Sequence, residues 1–364
     1  MIFMKVAIAM GTRPEIIKLS PIIKKLPKKS STIIFTGQHY DYEMSLQFIK
    51  QLGIREPDYK MKLKKLSNAK TDRATQIGEM MINLAKIFSK EKPDTVVVQG
   101  DTNTVLTAAL SSIKCDIPVS HVEAGLRSYD WRMPEEHNRI AVDHISEFLF
   151  APTKQNKNIL KNEHVHGKIF ITGNTSIDAV CQYLAYVDKT KTLENDFDDD
   201  FMLLTLHRGE NVDNKKTLSG IIKGLINSKT KIVFPIHPRT LKKLKEFHLF
   251  SKIQNSKNFT ILPPVGYFDM LYMMKKCNLI ITDSGGIQEE STAPSLRKKV
   301  LVLRTSTERM EAVQTGYAEV IGVNSSKISS SIQKNFHNSC KLTKNPYGNG
   351  KTSEKIISIL KKNI

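Results

Sequence analysis

The 364-residue sequence predicts two doubly wound α/β domains facing a cleft. Three observations carry this. Short apolar strands alternate with amphipathic helices, the alternation comes as two series, and a charged segment separates the series. In the first series the strands are expected at 6–10, 32–36, 95–99, 117–121, 148–151 and 168–171. Each is apolar or β-branched along its length, the pattern of a strand covered on both faces of a parallel sheet. Helices with a 3.6-residue apolar period are expected at 15–26, 72–88, 103–113 and 136–145, and Pro93 and Pro118 mark helix-to-strand turns. The second series has strands at 201–206, 231–235, 259–262, 279–282, 300–303 and 319–320. Residues 188–200, ending in Asp198-Asp199-Asp200, read as the linker, so the domains are expected at 1–187 and 201–345. A last amphipathic helix, 352–361, follows the turn-rich Asn345-Pro-Tyr-Gly-Asn-Gly350.

Composition narrows the function classes. Hydrophobic residues at 40% and charged residues at 25% describe a soluble globular protein. No apolar run reaches the roughly 18–20 residues of a membrane helix. The apolar start carries Lys5 and runs into a glycine turn, which reads as a buried strand rather than a signal peptide. The four cysteines lack the paired spacing of a zinc or redox site and fit a reduced, cytoplasmic compartment. A net charge of +19 raises nucleic-acid binding as a reading. The lysines are spread over most helices without an aromatic-interleaved basic motif, which favours a solvated lysine-rich surface instead. An anionic substrate benefits from that positive field either way.

In open α/β sheets ligands bind beyond the carboxyl ends of the strands, so polar residues there are the candidates. After the first strand, Gly11-Thr-Arg-Pro-Glu15 opens a helix whose free N–H groups attract anions, with Arg13 and Lys18 available to a diphosphate. Asp101 in Gly100-Asp101-Thr102 and Glu123 in His121-Val-Glu-Ala-Gly125 place carboxylates at two further strand ends. Helix capping is the plain alternative for Asp101, whereas Glu123 has no obvious structural role. Glu135 and Glu136 follow Pro134 in the first turn of a helix, where acids also suit the dipole. The sharper expectation is that Asp101, Glu123 and Glu135 converge, with clustering raising at least one of their pKa values. In the second series, His207-Arg208 and His237 stand at consecutive strand ends as phosphate-binding or proton-donating candidates. The segment Asp283-Ser284-Gly285-Gly286 then breaks a buried strand into a helix, so bare backbone N–H groups can approach phosphate oxygens, and Glu290 can accept from ribose hydroxyls. This is neither the dinucleotide fingerprint nor a P-loop, which disfavours NAD and ATP.

These segments, together with Thr36-Gly-Gln-His39, His207-Arg-Gly-Glu-Asn211, Ala293-Pro-Ser295, Thr307-Glu-Arg309 and Asn345-Pro-Tyr-Gly348, occur in order along the chain. The string resembles the non-hydrolysing UDP-N-acetylglucosamine 2-epimerases from end to end. The resemblance implies two Rossmann-like domains of the GT-B type, a last helix (346–364) crossing back to the first domain, a homodimer, and no cofactor or metal. It carries catalytic roles to Asp101, Glu123, Glu135 and His207. It carries substrate binding to Arg13, Lys18, His237, Ser284, Gly285, Gly286 and Glu290. Gln38 and His39 match a second, allosteric nucleotide-sugar site of bacterial members, with Arg73 as a candidate partner, but Tyr40-Asp41-Tyr42 departs from that pattern. Arg297, Met310 and Asn349 also depart, at positions outside the catalytic set.

The chemistry implied is epimerisation at carbon 2 of a UDP-N-acetylhexosamine. A carboxylate with a pKa near 4 cannot remove an unactivated proton unaided. If UDP leaves carbon 1 as the proton leaves carbon 2, a glycal forms, and readdition of UDP completes the inversion. A 2,3-diacetamido sugar epimerase and a UDP-sugar glycosyltransferase are the rival enzymes. A nucleotide-sugar sensor or nucleic-acid binder is the non-enzymatic alternative.

Overall fold

The computed structural model describes residues 4–37, 42–63, 71–190, 200–337 and 344–364. They form two compact units, Met1–Ala179 with Gly348–Ile364, and Val180–Tyr347.

The first unit is built on a seven-stranded parallel sheet. Its strands are β1 (Val6–Met10), β2 (Ser31–Phe35), β3 (Tyr59–Lys60), β4 (Thr95–Gln99), β5 (Val119–Val122), β6 (Phe148–Ala151) and β7 (Lys168–Ile171). The spatial order is β3-β2-β1-β4-β5-β6-β7. Strands β1, β4, β5 and β6 are buried along their whole length: β1 and β6 are apolar throughout, while β4 and β5 also bury Thr95, Gln99, Ser120 and His121. Helix Asp72–Glu91 buries Gln76, Met80, Leu84, Ile87 and Phe88, one stripe at helical spacing, and ends where Lys92 turns left-handed ahead of Pro93. Each such fully buried aliphatic or aromatic side chain contributes roughly 1.5–3 kcal/mol. The closing helix Thr352–Asn363 belongs to this unit. Asp178 caps it, accepting from the N–H of Thr352 at 3.0 Å and of Ser353 at 2.7 Å, while Ile356, Ile357 and Leu360 are buried.

The second unit has a six-stranded parallel sheet: β8 (Met202–Thr205), β9 (Ile232–Pro235), β10 (Phe259–Leu262), β11 (Leu279–Thr282), β12 (Val300–Val302) and β13 (Ala318–Val320), in the order β10-β9-β8-β11-β12-β13. Its core gathers Leu204, Phe234, Ile281 and Leu301 from the strands with Leu218, Ile221, Leu225, Ile328 and Ile332 from covering helices.

Three details differ from the sequence reading. The boundary between units falls at Ala179/Val180, inside helix Thr175–Leu184, rather than after 187. Tyr183 falls on the second unit's side, its ring edge-on to Tyr267 and Phe268 at 6.3 and 5.7 Å. The second boundary lies at Tyr347/Gly348. Of the expected linker, residues 191–199 lie outside the described residues, and Val187–Thr190 is helical. Strand β5 begins at Val119, after Pro118, which has no N–H for a ladder, and β3 was not anticipated.

In both sheets the strand order reverses about one pair, β1/β4 in the first and β8/β11 in the second. At such a switch point the following loops diverge and leave a crevice at the carboxyl end. The loops concerned are Gly11–Arg13 and Gly100–Thr102 in one unit, and His207-Arg208 and Asp283–Gly285 in the other.

Candidate active site

At the switch point of the first unit, Arg13, Lys18, Asp101 and Glu123 each meet a side-chain partner. Glu123 directly follows β5 and is buried, with φ +71°, a left-handed conformation that costs a non-glycine residue roughly 1–3 kcal/mol. That twist aims its carboxylate back along the sheet end. There Oε2 accepts from Lys18 Nζ at 2.5 Å and from Gln99 Nε2, at the end of β4, at 2.7 Å. Asp101 is bound to Arg139, whose other guanidinium nitrogen reaches Glu136 at 2.9 Å. Burial works against the Glu136 charge, but the N–H groups of Ser128 and Tyr129, the Ser128 hydroxyl and Arg139 outweigh it and hold its pKa below the usual range. Glu136 is thus an anchor for Arg139 and the preceding loop. Its neighbour Glu135 is exposed. The sheet therefore brings Glu123 to Lys18 and Asp101 to Arg139; it does not bond Glu135 to either.

The Gly100–Asn103 turn is braced from several directions. Gly100 has φ +85°, open to glycine at no steric cost. Asn138 Nδ2 donates to the Asp101 carbonyl at 2.8 Å, and the Thr102 hydroxyl donates to Glu15 Oε1 at 2.5 Å. Glu15 Oε2 also accepts from the N–H of Gly11 at 2.5 Å and of Thr12 at 3.3 Å, so one carboxyl ties the two switch-point loops together. Burial pushes the Glu15 pKa up to about 7, outweighing the donors that favour its charge. A raised carboxyl was expected among Asp101, Glu123 and Glu135; Glu15 is a buried one that rises. Arg13 is exposed, its guanidinium 5.9 Å from the Phe48 ring.

The second unit presents the opposite chemistry. Asp283, fully buried at the end of β11, accepts from the backbone N–H of His207 and Arg208 and from Asn211, and its Oδ1 lies 2.9 Å from His207 Nδ1. Burial opposes the Asp283 charge, but His207 and those amides prevail and hold its pKa low. An anion at Nδ1 fixes the His207 ring and leaves Nε2 as its working nitrogen. His237 lies 5.6 Å from His207, ring to ring. Burial, His207 and Arg239 lower its pKa, and its Nδ1 accepts from the Arg239 N–H, so the neutral ring donates from Nε2. Beside this pair is a cavity of about 200 Å³ lined by Pro235, Ile236, Pro264, Val265, Met270 and Ile287, an apolar slot suited to a flat base.

Ser284 and Gly285 begin helix Gly285–Glu290. A Cβ at Gly285 would sit 3.2 Å from Glu308, 3.7 Å from the Arg309 guanidinium and 3.8 Å from that of Arg208. Two cations and one carboxylate thus surround a backbone that carries no side chain, a candidate place for an anion once the arginines turn to it. Glu308 organises it, bonding Arg208 at 3.1 Å and Arg304 at 2.5 Å. Burial opposes its charge, but Arg309, Arg304 and Arg208 bring its pKa down to about 2. Gly286 is in the same turn, and Glu290 lies close enough to Tyr267 to add to the burial that raises that phenol.

Gln99, Arg139 and Glu15 in the first unit, and Asp283, Glu308 and Arg309 in the second, were given no individual role from sequence, and Glu136 was read only as a first-turn acid. Most stand inside motifs that were read, so proximity in the motif was the available signal. Gln38 and His39 lie outside the described residues, and Arg73 is exposed near the start of helix Asp72–Glu91. Among the described residues no group of acidic, histidine and cysteine side chains could hold a metal, and no helix is long and apolar enough to cross a membrane.

A family model described as UDP-N-acetylglucosamine 2-epimerase matches residues 22–361. The chain is 46% identical over 370 residues to a UDP-N-acetylglucosamine 2-epimerase of Methanocaldococcus jannaschii, covering 98% of this chain and 99% of that protein. It is 34% identical over 368 residues to a UDP-2,3-diacetamido-2,3-dideoxy-D-glucuronate 2-epimerase of Pseudomonas aeruginosa, covering 99% and 100%. The crystal structure of the M. jannaschii UDP-GlcNAc 2-epimerase in complex with UDP-GlcNAc and UDP superposes with a TM-score of 0.85 at 44% identity, over 99% of this chain and 100% of that one.

Proposed function

Since the chain belongs to the UDP-N-acetylglucosamine 2-epimerase family, we propose that it interconverts UDP-N-acetylglucosamine and UDP-N-acetylmannosamine. The uracil enters the apolar slot beside His237. The diphosphate meets the Gly285–Gly286 backbone, Arg208 and Arg309, with His207 Nε2 bonding or protonating the departing oxygen and Glu290 receiving the ribose. Arg13 and Lys18 are further basic groups proposed to bind substrate. As the C1–O bond breaks, its electrons leave with UDP. The C2–H electrons form the C1–C2 double bond of a 2-acetamidoglucal, and a carboxylate takes the proton. Asp101, Glu123 and Glu135 share this transfer, its reverse on the other face, and stabilisation of the cationic ring. No external oxidant or reductant enters this balance.

The observation that carries the reading is Glu123, a buried carboxylate on a strained backbone whose cost the fold sustains at the end of a parallel sheet. Epimerisation in D2O tests it. Deuterium is expected at carbon 2 of the product, and retention of the original hydrogen would refute elimination and readdition. The 34%-identical P. aeruginosa relative supports a second reading, a diacetamido sugar as substrate, although the 46% relative favours the N-acetylglucosamine one. Side-by-side turnover of both sugars decides between them, and turnover without any acceptor separates both from a glycosyltransferase. The working form on this reading is a cytoplasmic homodimer supplying polysaccharide biosynthesis.

A further inference from the structure

Behind the first switch point lies a buried chain of charged groups that neither binding nor proton transfer uses. His121, on β5, and Asp143, on helix Pro134–Ile145, are both fully buried. Asp143 Oδ1 is 2.8 Å from His121 Nδ1, and its Oδ2 accepts from the Gly125 N–H at 3.1 Å and from Arg127 Nη1 at 2.7 Å. Arg127 in turn forks onto Glu163 at 2.8 and 2.5 Å. On its other side, His121 Nε2 lies 2.9 Å from the carbonyl oxygen of Gly100.

The ring therefore meets an acceptor at each nitrogen. A carbonyl cannot donate, so His121 Nε2 carries a proton toward Gly100. The Arg127 guanidinium on Asp143 Oδ2 favours the ionised carboxylate, and against that anion the ring donates from both nitrogens, as the doubly protonated form. With that assignment the chain His121, Asp143, Arg127, Glu163 alternates in sign and sums to zero, so the desolvated charges compensate one another.

What the ring grips is specific. Gly100 still gives its N–H to Val122 at 3.2 Å, but its carbonyl turns to His121. Gly100 immediately precedes Asp101, and His121 stands two residues before Glu123 on its own strand. One imidazole thus joins the two turns that present the carboxylates, and Asp143 secures Gly125 just beyond Glu123. A displacement of about 1 Å at reacting groups can cost about 100-fold in rate, so a brace at this point acts on the chemical step more than on binding.

We propose that His121 is a positioning residue of the epimerisation, its doubly protonated ring clamped between Asp143 and the Gly100 carbonyl so as to hold Asp101 and Glu123 in register. This rests on the epimerase reading above. Neutron diffraction of the wild-type protein is expected to show a proton on each ring nitrogen; a single ring proton would overturn the proposal. The His121→Gln variant, which cannot donate in both directions, is expected to lose about 10–100-fold in kcat with KM and the Kd for UDP changed by less than about 3-fold. Wild-type kcat in a folded H121Q, or a loss confined to UDP binding, would equally overturn it. Should H121Q fail to fold, the neutron map of the wild type decides alone. A wild type that does not epimerise would instead defeat the functional reading, so the two failures are distinguishable.

Discussion

The two units solve one problem with reversed signs. In the first, two of the three acids proposed to react are steadied by a cation: Glu123 by Lys18, Asp101 by Arg139. In the second, the groups proposed to bind are cations and a histidine, each steadied by an anion: His207 by Asp283, Arg208 and Arg304 by Glu308. The buried partner matters because a side chain that is ion-paired and hydrogen-bonded on one side has lost most of its rotamer freedom before substrate arrives. The difference between the units is what the partner leaves available. On the proposed function, Lys18 and Arg139 leave carboxylate oxygens for proton transfer, whereas Asp283 and Glu308 leave N–H donors for a diphosphate.

Substitutions can break this symmetry in order of expected severity. Glu123→Gln keeps the contact with Gln99 or Lys18 but cannot exchange a proton, and kcat should fall about 10²–10⁴-fold with UDP binding retained. Turnover followed by NMR of the anomeric signals measures it, and near-normal kcat would remove Glu123 from the chemistry. Asp283→Asn should leave His207 free to take the wrong tautomer. A loss of about 100-fold or more in kcat is expected, by analogy with an aspartate orienting a catalytic histidine elsewhere. Arg208→Ala removes one of the cations at Gly285 and should weaken UDP by about 1.5–3 kcal/mol, measured calorimetrically, while leaving the first unit untouched. If kcat collapses and the affinity for UDP does not change, the cradle has been assigned to the wrong unit.

The smallest effect concerns stability. Burial raises the Glu15 carboxyl from its ordinary 4.5 to about 7 in the folded protein. Between those values the folded state holds a proton that the unfolded state has released, so stability falls as pH rises through this window and levels off above it. The drop is on the order of 1–3 kcal/mol. Urea titrations at pH 5 and pH 8 should show it in the wild type and lose it in Glu15→Gln, which still accepts from Gly11. An equal slope in the variant would assign the proton to another group.

Much of the fold was readable because parallel strands covered on both faces need continuous apolar sequence, as in Val6–Met10 and Thr95–Gln99. Tyr59–Lys60 was not readable, being a two-residue edge strand with one exposed residue and no such run. The position of the first domain boundary was hidden for a related reason. Composition pointed to the charged segment, but Tyr183 packs onto aromatic residues far along the chain, a contact that no local pattern reveals. At the site, strand-end glycines and acids exposed the loops. The supporting residues were masked because each has an ordinary local explanation: Glu136 as a first-turn acid, Glu15 as a capping-box residue, Asp283 as a strand-end turn former. Only the sheet order, which seats β4 beside β1 and β11 beside β8, turns them into partners.

The helix Thr352–Asn363 lies in the same unit as β1, although the whole second unit comes between them in the sequence. On the ribosome, residues 180–347 are therefore complete before the earlier-synthesised part can be, and Asp178 waits for Thr352 and Ser353 until the second unit has been made. A chain released after Tyr347 would carry a finished second unit beside a first unit with the Ile356, Ile357 and Leu360 contacts missing. Such fragments should be prime substrates for quality-control proteases, which makes the codons of this helix a checkpoint on the first unit.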